Sequence, residues 1–331
     1  PGKFVYQASS EIESINAIVG GGYAGKRSMT STAGPGFSLM SEGIGMAWMA
    51  EIPVVVVDVQ RGGPATGLPT KVEQSDLLAA IHPAHGDVSL PVIAAGTVQE
   101  CYEAAIIALN WAERYQGPVV LLSDHGLSEQ VQNLPKFDIG KVIPERRKIY
   151  QGQNGYERYA GSELSPMPIP GGPGSYVANA SEHDGMGDTT HLPSRHIEMT
   201  ERRFSKLKLL EDDNYESENT ESPVAVMTWG GSKGATREAF NALMSQGQSI
   251  GWYYTMQLNP LPPKLLEALR SKELVIVPEL NYLGQFSSIL RSKGVNAKSI
   301  TQYNGKPFKV SDLINWITDL VKSHDEEFIK A

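Results

Sequence analysis

The chain carries a single cysteine, Cys101, in 331 residues. One thiol excludes an internal disulfide framework, and it excludes an iron–sulfur cluster held by this chain alone. It fits a reducing cytoplasm. Cys101 lies in VQECYEAAIIALNWAERY and reads as a half-buried small apolar residue of an amphipathic helix. No apolar run approaches the ~18 residues that a membrane-spanning helix needs. Basic blocks are also absent. The 29 Lys and Arg against 37 Asp and Glu leave a net charge of -8, so nucleic acid is not an expected partner. There is no Walker motif, and no Gly-x-Ser-x-Gly elbow to support a serine hydrolase. The opening PGKFVYQASSE lacks the charged and apolar regions of a signal peptide. It also begins abruptly, as a fragment or one piece of a larger parent would.

What is present points to an α/β protein. A hydrophobic content of 40% is enough for a sizeable core, and the length suggests about two domains. EIESINAIVGGGYAG places Ile12, Ile15, Ile18 and Val19 at helical spacing. RSMTST reads as a short strand leading into a Gly-Pro-Gly loop at Gly34–Gly36, and residues 37–50 as one Met- and Gly-rich helix. PVVVVDVQ and PVVLLSD are continuous β-branched and apolar runs, expected of strands buried on both faces of a parallel sheet. Between them lie a Gly/Pro loop (RGGPATGLPT), a helix (VEQSDLLAAIH), a strand (LPVIAAG) and a long helix ended at Gly117. Residues 141–221 break the alternation and read as an irregular connector with a helix near HIEMTERRFSKLKLLE. Alternation resumes over 222–331 as a second, smaller α/β domain. The expected partition is therefore 1–140, 141–221 and 222–331.

Several residues are candidates for chemistry. The Gly20–Gly25 stretch falls at a helix end and does not open a dinucleotide-binding helix. Gly34, Gly36 and Gly62–Gly63 suit tight turns, with phosphate binding as the alternative. His82, His85 and Asp87 sit in a loop without an evident further ligand. His183, Asp184, Asp188, His191 and His196 are the richer metal candidate on composition, but no helical His-x-x-x-His spacing supports them. Arg61 follows the apolar strand VVVVDVQ. The carboxyl end of a buried parallel strand is where such sheets place ligands, and a guanidinium there can grip a carboxylate; an exposed loop arginine is the alternative. Glu11 heads the first helix, where an acid commonly just complements the dipole.

The segment TSTAGPGFSLMSEGIGMAWMAEIPVVVVDVQRGGPATGLPTKVEQSDL, residues 30–77, resembles the alpha subunits of 2-oxoacid:ferredoxin oxidoreductases, nearest the 2-oxoglutarate and broad-specificity archaeal-type branch. Residues 10–130 follow that family's thiamine-pyrophosphate pyrimidine domain. EHDGMGDTTHLPSRHIEMTERRFSKL resembles its connector more loosely, and the last 110 residues look like its transketolase-C-terminal-like domain. The family's Tyr-Pro-Ile-Thr-Pro motif, whose threonine contacts substrate, would lie upstream of this start. It is expected to have been cleaved, truncated or carried on another piece.

The resemblance implies an α/β fold, a parallel-sheet thiamine-pyrophosphate pyrimidine-type domain followed by a smaller transketolase-C-terminal-like domain. It implies CoA-dependent oxidative decarboxylation of a 2-oxoacid (2-oxoglutarate, pyruvate or similar) with reduction of ferredoxin. Glu11 matches the glutamate at N1′ of the aminopyrimidine, where a carboxyl promotes the imino tautomer that removes the C2 proton. Arg61 matches the arginine that binds the 2-oxoacid carboxylate. Thr30, Ser31, Gly34 and Gly36 match the wall beside the aminopyrimidine. Thiamine pyrophosphate would be shared with a beta subunit that supplies Mg2+ and a [4Fe-4S] cluster. CoA is a substrate, and a gamma-type domain or chain and ferredoxin are further partners. Helix 37–50 is a candidate for the alpha–beta interface or plain internal core. A transketolase-type half-enzyme, a non-catalytic α/β binding subunit and an α/β dehydrogenase are the alternatives.

Overall fold

The computed structural model describes residues 4–136, 138, 140–152, 155–161 and 164–330, with side chains described as far as 324. The first three residues of the abrupt start lie outside this set. The amino-terminal half runs α1 (Glu11–Tyr23), β1 (Met29–Thr32), α2 (Gly34–Leu39), α3 (Ser41–Met49), β2 (Val54–Gln60), α4 (Leu77–Ile81), β3 (Val92–Ala94), α5 (Val98–Tyr115), β4 (Pro118–Asp124) and α6 (His125–Glu129). The connector contributes α7 (Pro193–Ser205), a 3-10 turn (Lys206–Leu210) and β5 (Glu216–Glu218). Then come β6 (Val224–Thr228), α8 (Lys233–Ser245), β7 (Gly251–Tyr254), β8 (Gln257–Asn259), α9 (Pro263–Arg270), β9 (Leu274–Glu279), α10 (Gln285–Ser292), β10 (Ala297–Thr301) and α11 (Val310–Lys330).

Local chemistry explains the principal elements. The Ser10 side chain accepts the Glu13 N–H, and Glu11 and Glu13 complement the positive end of α1. Thr97 caps α5 in the same way, accepting from Glu100 N at 3.1 Å. That helix ends with Gln116 in the left-handed region (φ 53), not at Gly117 as the sequence suggests. Gly117 is instead required by packing, since a Cβ there would lie 2.4 Å from the Tyr115 ring. Gly34–Gly36 is the first turn of α2 and not a loop. The expected single helix over 37–50 is broken at Met40 into α2 and α3.

Two five-stranded sheets result, in the orders β1-β2-β4-β3-β8 and β10-β9-β6-β7-β5. All pairings are parallel except β3 with β8 and β5 with β7. Two strands cross the boundaries expected from sequence. β5 belongs to the second sheet although it lies before residue 222, and β8 completes the first sheet although it comes from the carboxyl-terminal half. Val54–Val56 and Val119–Leu122 share one continuous buried core with Met227, Val275 and Phe286. Helix α3 contributes Ile44, Ala47 and Trp48 to that core, so most of its apolar face is internal.

Candidate active site at the carboxyl end of the first sheet

The ends of β1 and β2 lie side by side, with Thr32 in register with Asp58. Alternation along β1 puts Thr30 and Thr32 on one face and Ser31 on the other, where it is exposed. The Thr30 hydroxyl is 2.5 Å from Ser14 Oγ, tying β1 to α1. Thr32 faces the start of α2. A Cβ built at Gly36 would lie 2.0 Å from Thr32 Oγ1, 2.7 Å from Glu11 Cγ and 2.8 Å from Glu11 Oε1. Only a glycine lets these three groups meet. Glu11, Thr32 and Gly36 therefore form one corner, and Gly34 borders it against the Asp76 carboxyl, 3.0 Å from where its Cβ would stand.

The two acids at the head of α1 differ in what they touch. Glu13 accepts hydrogen bonds from Ser9 N at 2.7 Å and from the Ser9 and Tyr6 hydroxyls. Those bonds hold its carboxyl down at about 2. The Glu11 carboxyl makes no hydrogen bond among the described residues. It is half-buried.

Arg61 follows directly on β2, and its Nη1 donates to Thr66 O at 2.7 Å. Its charge acts on Asp76. Gln60, the last residue of β2, joins the parts. Its Oε1 accepts from Asp76 N at 3.1 Å and its Nε2 donates to Ser123 O at 3.2 Å. Asp58 is completely buried beside Asp76, and neither of its carboxyl oxygens has a hydrogen-bond partner. Burial first, and then the neighbouring Asp76 carboxyl, push the Asp58 pKa well above the ordinary aspartate range. Burial raises Asp76 as well, although Asp58 and Arg61 pull against it. Two neighbouring buried carboxyls cannot both be ionised at low cost.

Sequence reasoning named Glu11, Arg61, Gly34 and Gly36, and all four lie around this carboxyl end. Thr30 and Thr32 share the face of β1 turned toward α1, and Ser31 lies on the opposite face. Asp58, Gln60 and Asp76 were missed. Asp58 had a signal, a lone charge inside VVVVDVQ. Three of the candidate histidines are engaged elsewhere. His82 Nδ1 lies 2.6 Å from Val88 O, His183 packs on Tyr159 with ring centroids 4.1 Å apart, and His196 Nδ1 is 2.6 Å from Glu182. Asp184 Oδ1 accepts from Met186 N and Asp188 N, forming a turn. Among the described residues no three His, Cys, Asp or Glu converge on a metal position, and no helix is long and apolar enough to cross a membrane. A cleft of about 480 Å³ opens elsewhere, between α5 and the β7–β8 segment, lined in part by Trp111, Tyr215 and Gln257; neither Glu11 nor Arg61 reaches it.

The two-sheet architecture is that of thiamine-dependent α/β enzymes. A split-gene transketolase, 13% identical, superposes over 94% of this chain and 81% of its own with a TM-score of 0.52, a likeness of fold alone. Residues 2–202 match the family model described as pyruvate flavodoxin/ferredoxin oxidoreductase, thiamine diP-bdg. The 2-oxoglutarate synthase subunit KorA of Methanocaldococcus jannaschii is 34% identical over 86% of this chain and 77% of its own length. The 2-oxoglutarate oxidoreductase subunit KorA of Mycobacterium tuberculosis is 34% identical over 94% of this chain but 49% of its own. A solved 2-oxoglutarate:ferredoxin oxidoreductase from Magnetococcus marinus, with 2-oxoglutarate, coenzyme A and succinyl-CoA bound, is 40% identical. Its TM-score is 0.90, over 95% of this chain and 56% of that one. The chain belongs to the pyruvate flavodoxin/ferredoxin oxidoreductase family. It spans about half the length of several relatives it matches.

Proposed function

We propose that this chain is the alpha part of a CoA-dependent 2-oxoacid:ferredoxin oxidoreductase that decarboxylates 2-oxoglutarate, pyruvate or a similar acid. The observation that carries the reading is the corner where the unengaged Glu11 carboxylate meets Thr32 and Gly36, at the same sheet end as Arg61. A carboxyl acceptor beside a hydroxyl and a bare glycine backbone suits the flat, nitrogen-bearing pyrimidine end of thiamine pyrophosphate. When bound, that cofactor supplies the electron sink for decarboxylation. Glu11 would hold a proton at the pyrimidine N1′. Gly34 and Gly36 would let the ring approach the backbone, and Thr30 and Ser31 would contribute to the wall through the strand that carries them. Arg61 would receive the carboxylate of the 2-oxoacid in charge-assisted hydrogen bonds.

On this reading residues 1–140 form the pyrimidine-binding domain, 141–221 the connector and 222–331 the transketolase-C-terminal-like domain. A beta-type partner would hold the diphosphate with Mg2+ and the [4Fe-4S] cluster that passes electrons to ferredoxin. A gamma-type domain or chain would complete the cytoplasmic heteromer.

The test is 2-oxoacid-dependent, CoA-dependent reduction of an artificial one-electron acceptor by the assembled heteromer. Glu11→Gln is expected to abolish turnover while leaving assembly intact. Glu13→Gln, which alters the carboxylate already engaged by Ser9 and Tyr6, is expected to leave most of it. Near-normal turnover in Glu11→Gln would remove the N1′ assignment.

A further inference from the structure

Arg61 opens a long loop, residues 61–76, and the far end of that loop stands on the second sheet. Gln74 is the point of attachment and is completely buried. Its Nε2 donates to Trp229 O at 3.0 Å, just beyond β6, and its Oε1 accepts from Leu280 N at 3.2 Å, just beyond β9. Its backbone N–H donates to Leu280 O at 2.7 Å, and its carbonyl accepts from Asn281 Nδ2 at 3.0 Å. The ladder between β6 and β9 stops at Val226 and Ile276. Past that point the side-chain amide of Gln74 bridges the two strand ends as a paired residue would.

The surroundings are built to hold it. Gly230 has φ 53, and a Cβ there would lie 2.8 Å from Gln74 Nε2. Asn281 is fixed by the Glu279 carboxylate at 3.1 Å and by accepting Gly284 N at 2.7 Å. Gln285 adds a second anchor, donating to Ser75 O at 2.6 Å and accepting Leu78 N at 3.0 Å. Gly305 lies close against Lys71 and Leu68 of the same loop. Two residues further on, the same end of the loop returns to the first sheet, where Asp76 N donates to Gln60 Oε1. Every buried polar group of Gln74 is satisfied by a residue of the second half, so moving the loop means breaking bonds that no water can replace.

We infer that Gln74 is a positioning residue: it fixes the Arg61 loop to the carboxyl ends of β6 and β9, so that the second domain sets the affinity of the site for its 2-oxoacid. The inference rests on the proposed role of Arg61. The variant is Gln74→Met, which keeps the volume and removes both side-chain hydrogen bonds. Gln285→Leu cuts the second anchor and serves if Gln74→Met does not assemble.

In the assembled enzyme the KM for the 2-oxoacid is expected to rise about ten- to a hundredfold, as for misplacement of a binding group. The kcat and the KM for CoA should change little. Amide exchange across residues 61–76 should accelerate while exchange in β2 and β4 does not. An assembled variant with an unchanged KM overturns the inference, as does unchanged loop protection. Wild-type enzyme that shows no 2-oxoacid-dependent turnover sinks the proposed function. The clamp is then decided by the exchange experiment alone, where unchanged protection overturns it.

Discussion

Arg61 and Asp58 show how much depends on single side chains at this sheet end. Arg61 donates only one described hydrogen bond, to Thr66 O, and its proposed role is to receive a carboxylate with the rest of the guanidinium. Arg61→Ala is expected to raise the KM for the 2-oxoacid by a loss of about 1.5–3 kcal/mol of charge-assisted binding; steady-state kinetics across 2-oxoacid concentrations measures it. Asp58 makes a prediction about pH. Its folded-state pKa is raised above the ordinary aspartate value of roughly 4. The folded protein therefore holds a proton that the unfolded chain releases. The stability contribution is full below that ordinary value and is lost as pH rises through the folded pKa. Asp58→Asn should flatten the decline of Tm with rising pH, and an unaltered slope would show that Asp58 is not the group that holds this proton. The positions of Glu11 and Arg61 were legible because a helix head and a strand end are marked in sequence, while their proposed roles came from the resemblance. Asp76 and Gln74 were not, because their roles arise from partners 18 and more than 150 positions away.

At the scale of elements, the connector is held by charge more than by oil. Helix α7 and the turn after it bring Arg202 and Lys206 onto Glu51, which sits at the end of α3 with φ 52 and no solvent exposure. Arg202 binds it with Nε–Oε1 at 2.8 Å and Nη2–Oε2 at 3.2 Å, Lys206 lies at 3.2 Å, and Arg158 donates to its carbonyl at 3.2 Å. Burial alone would raise the Glu51 pKa, but Lys206, Arg158 and Arg202 together hold it well below the carboxylate range. Burial in turn pushes Lys206 down to about 8. Glu51→Gln leaves these buried cations uncompensated and should cost about 3–5 kcal/mol, read as a lower urea midpoint. The sign with pH is opposite to that of Asp58. The Glu51 contribution is present above the ordinary carboxylate value and is lost as pH falls through its depressed one. An unchanged midpoint would mean the network is incidental to stability. The sequence displayed α7 as a helix within an irregular connector. It did not display that five of the connector's cations, Arg147, Arg158, Arg202, Arg203 and Lys206, are buried, since a charge run ordinarily reads as a surface.

At the scale of the molecule, the two halves are not separable. Strand β8 adds its edge to β3, with Ala94 N donating to Met256 O at 2.8 Å, and one core runs through both sheets. A fragment ending at residue 221 would lose β8, leave the edge of β3 unpaired and uncover the partners of Gln74. It is expected to lack the near-ultraviolet circular dichroism of a packed core and to aggregate. A soluble, cooperatively unfolding 1–221 fragment would show that the first sheet is self-sufficient.

The sequence by itself determined the α/β class, the buried parallel strands β2 and β4, the helices α1 and α5 and a second run of alternation over 222–331. It also placed Glu11 and Arg61 at element ends, because periodicity, capping residues and β-branched runs act within a few residues of chain. The tertiary structure decided which sheet β5 and β8 join, that Thr32 and not Ser31 faces Glu11, and that the Arg61 loop rests on Gln74. Those outcomes depend on pairing register and on hydrogen bonds between distant segments, where a short polar strand carries no local mark of its partner.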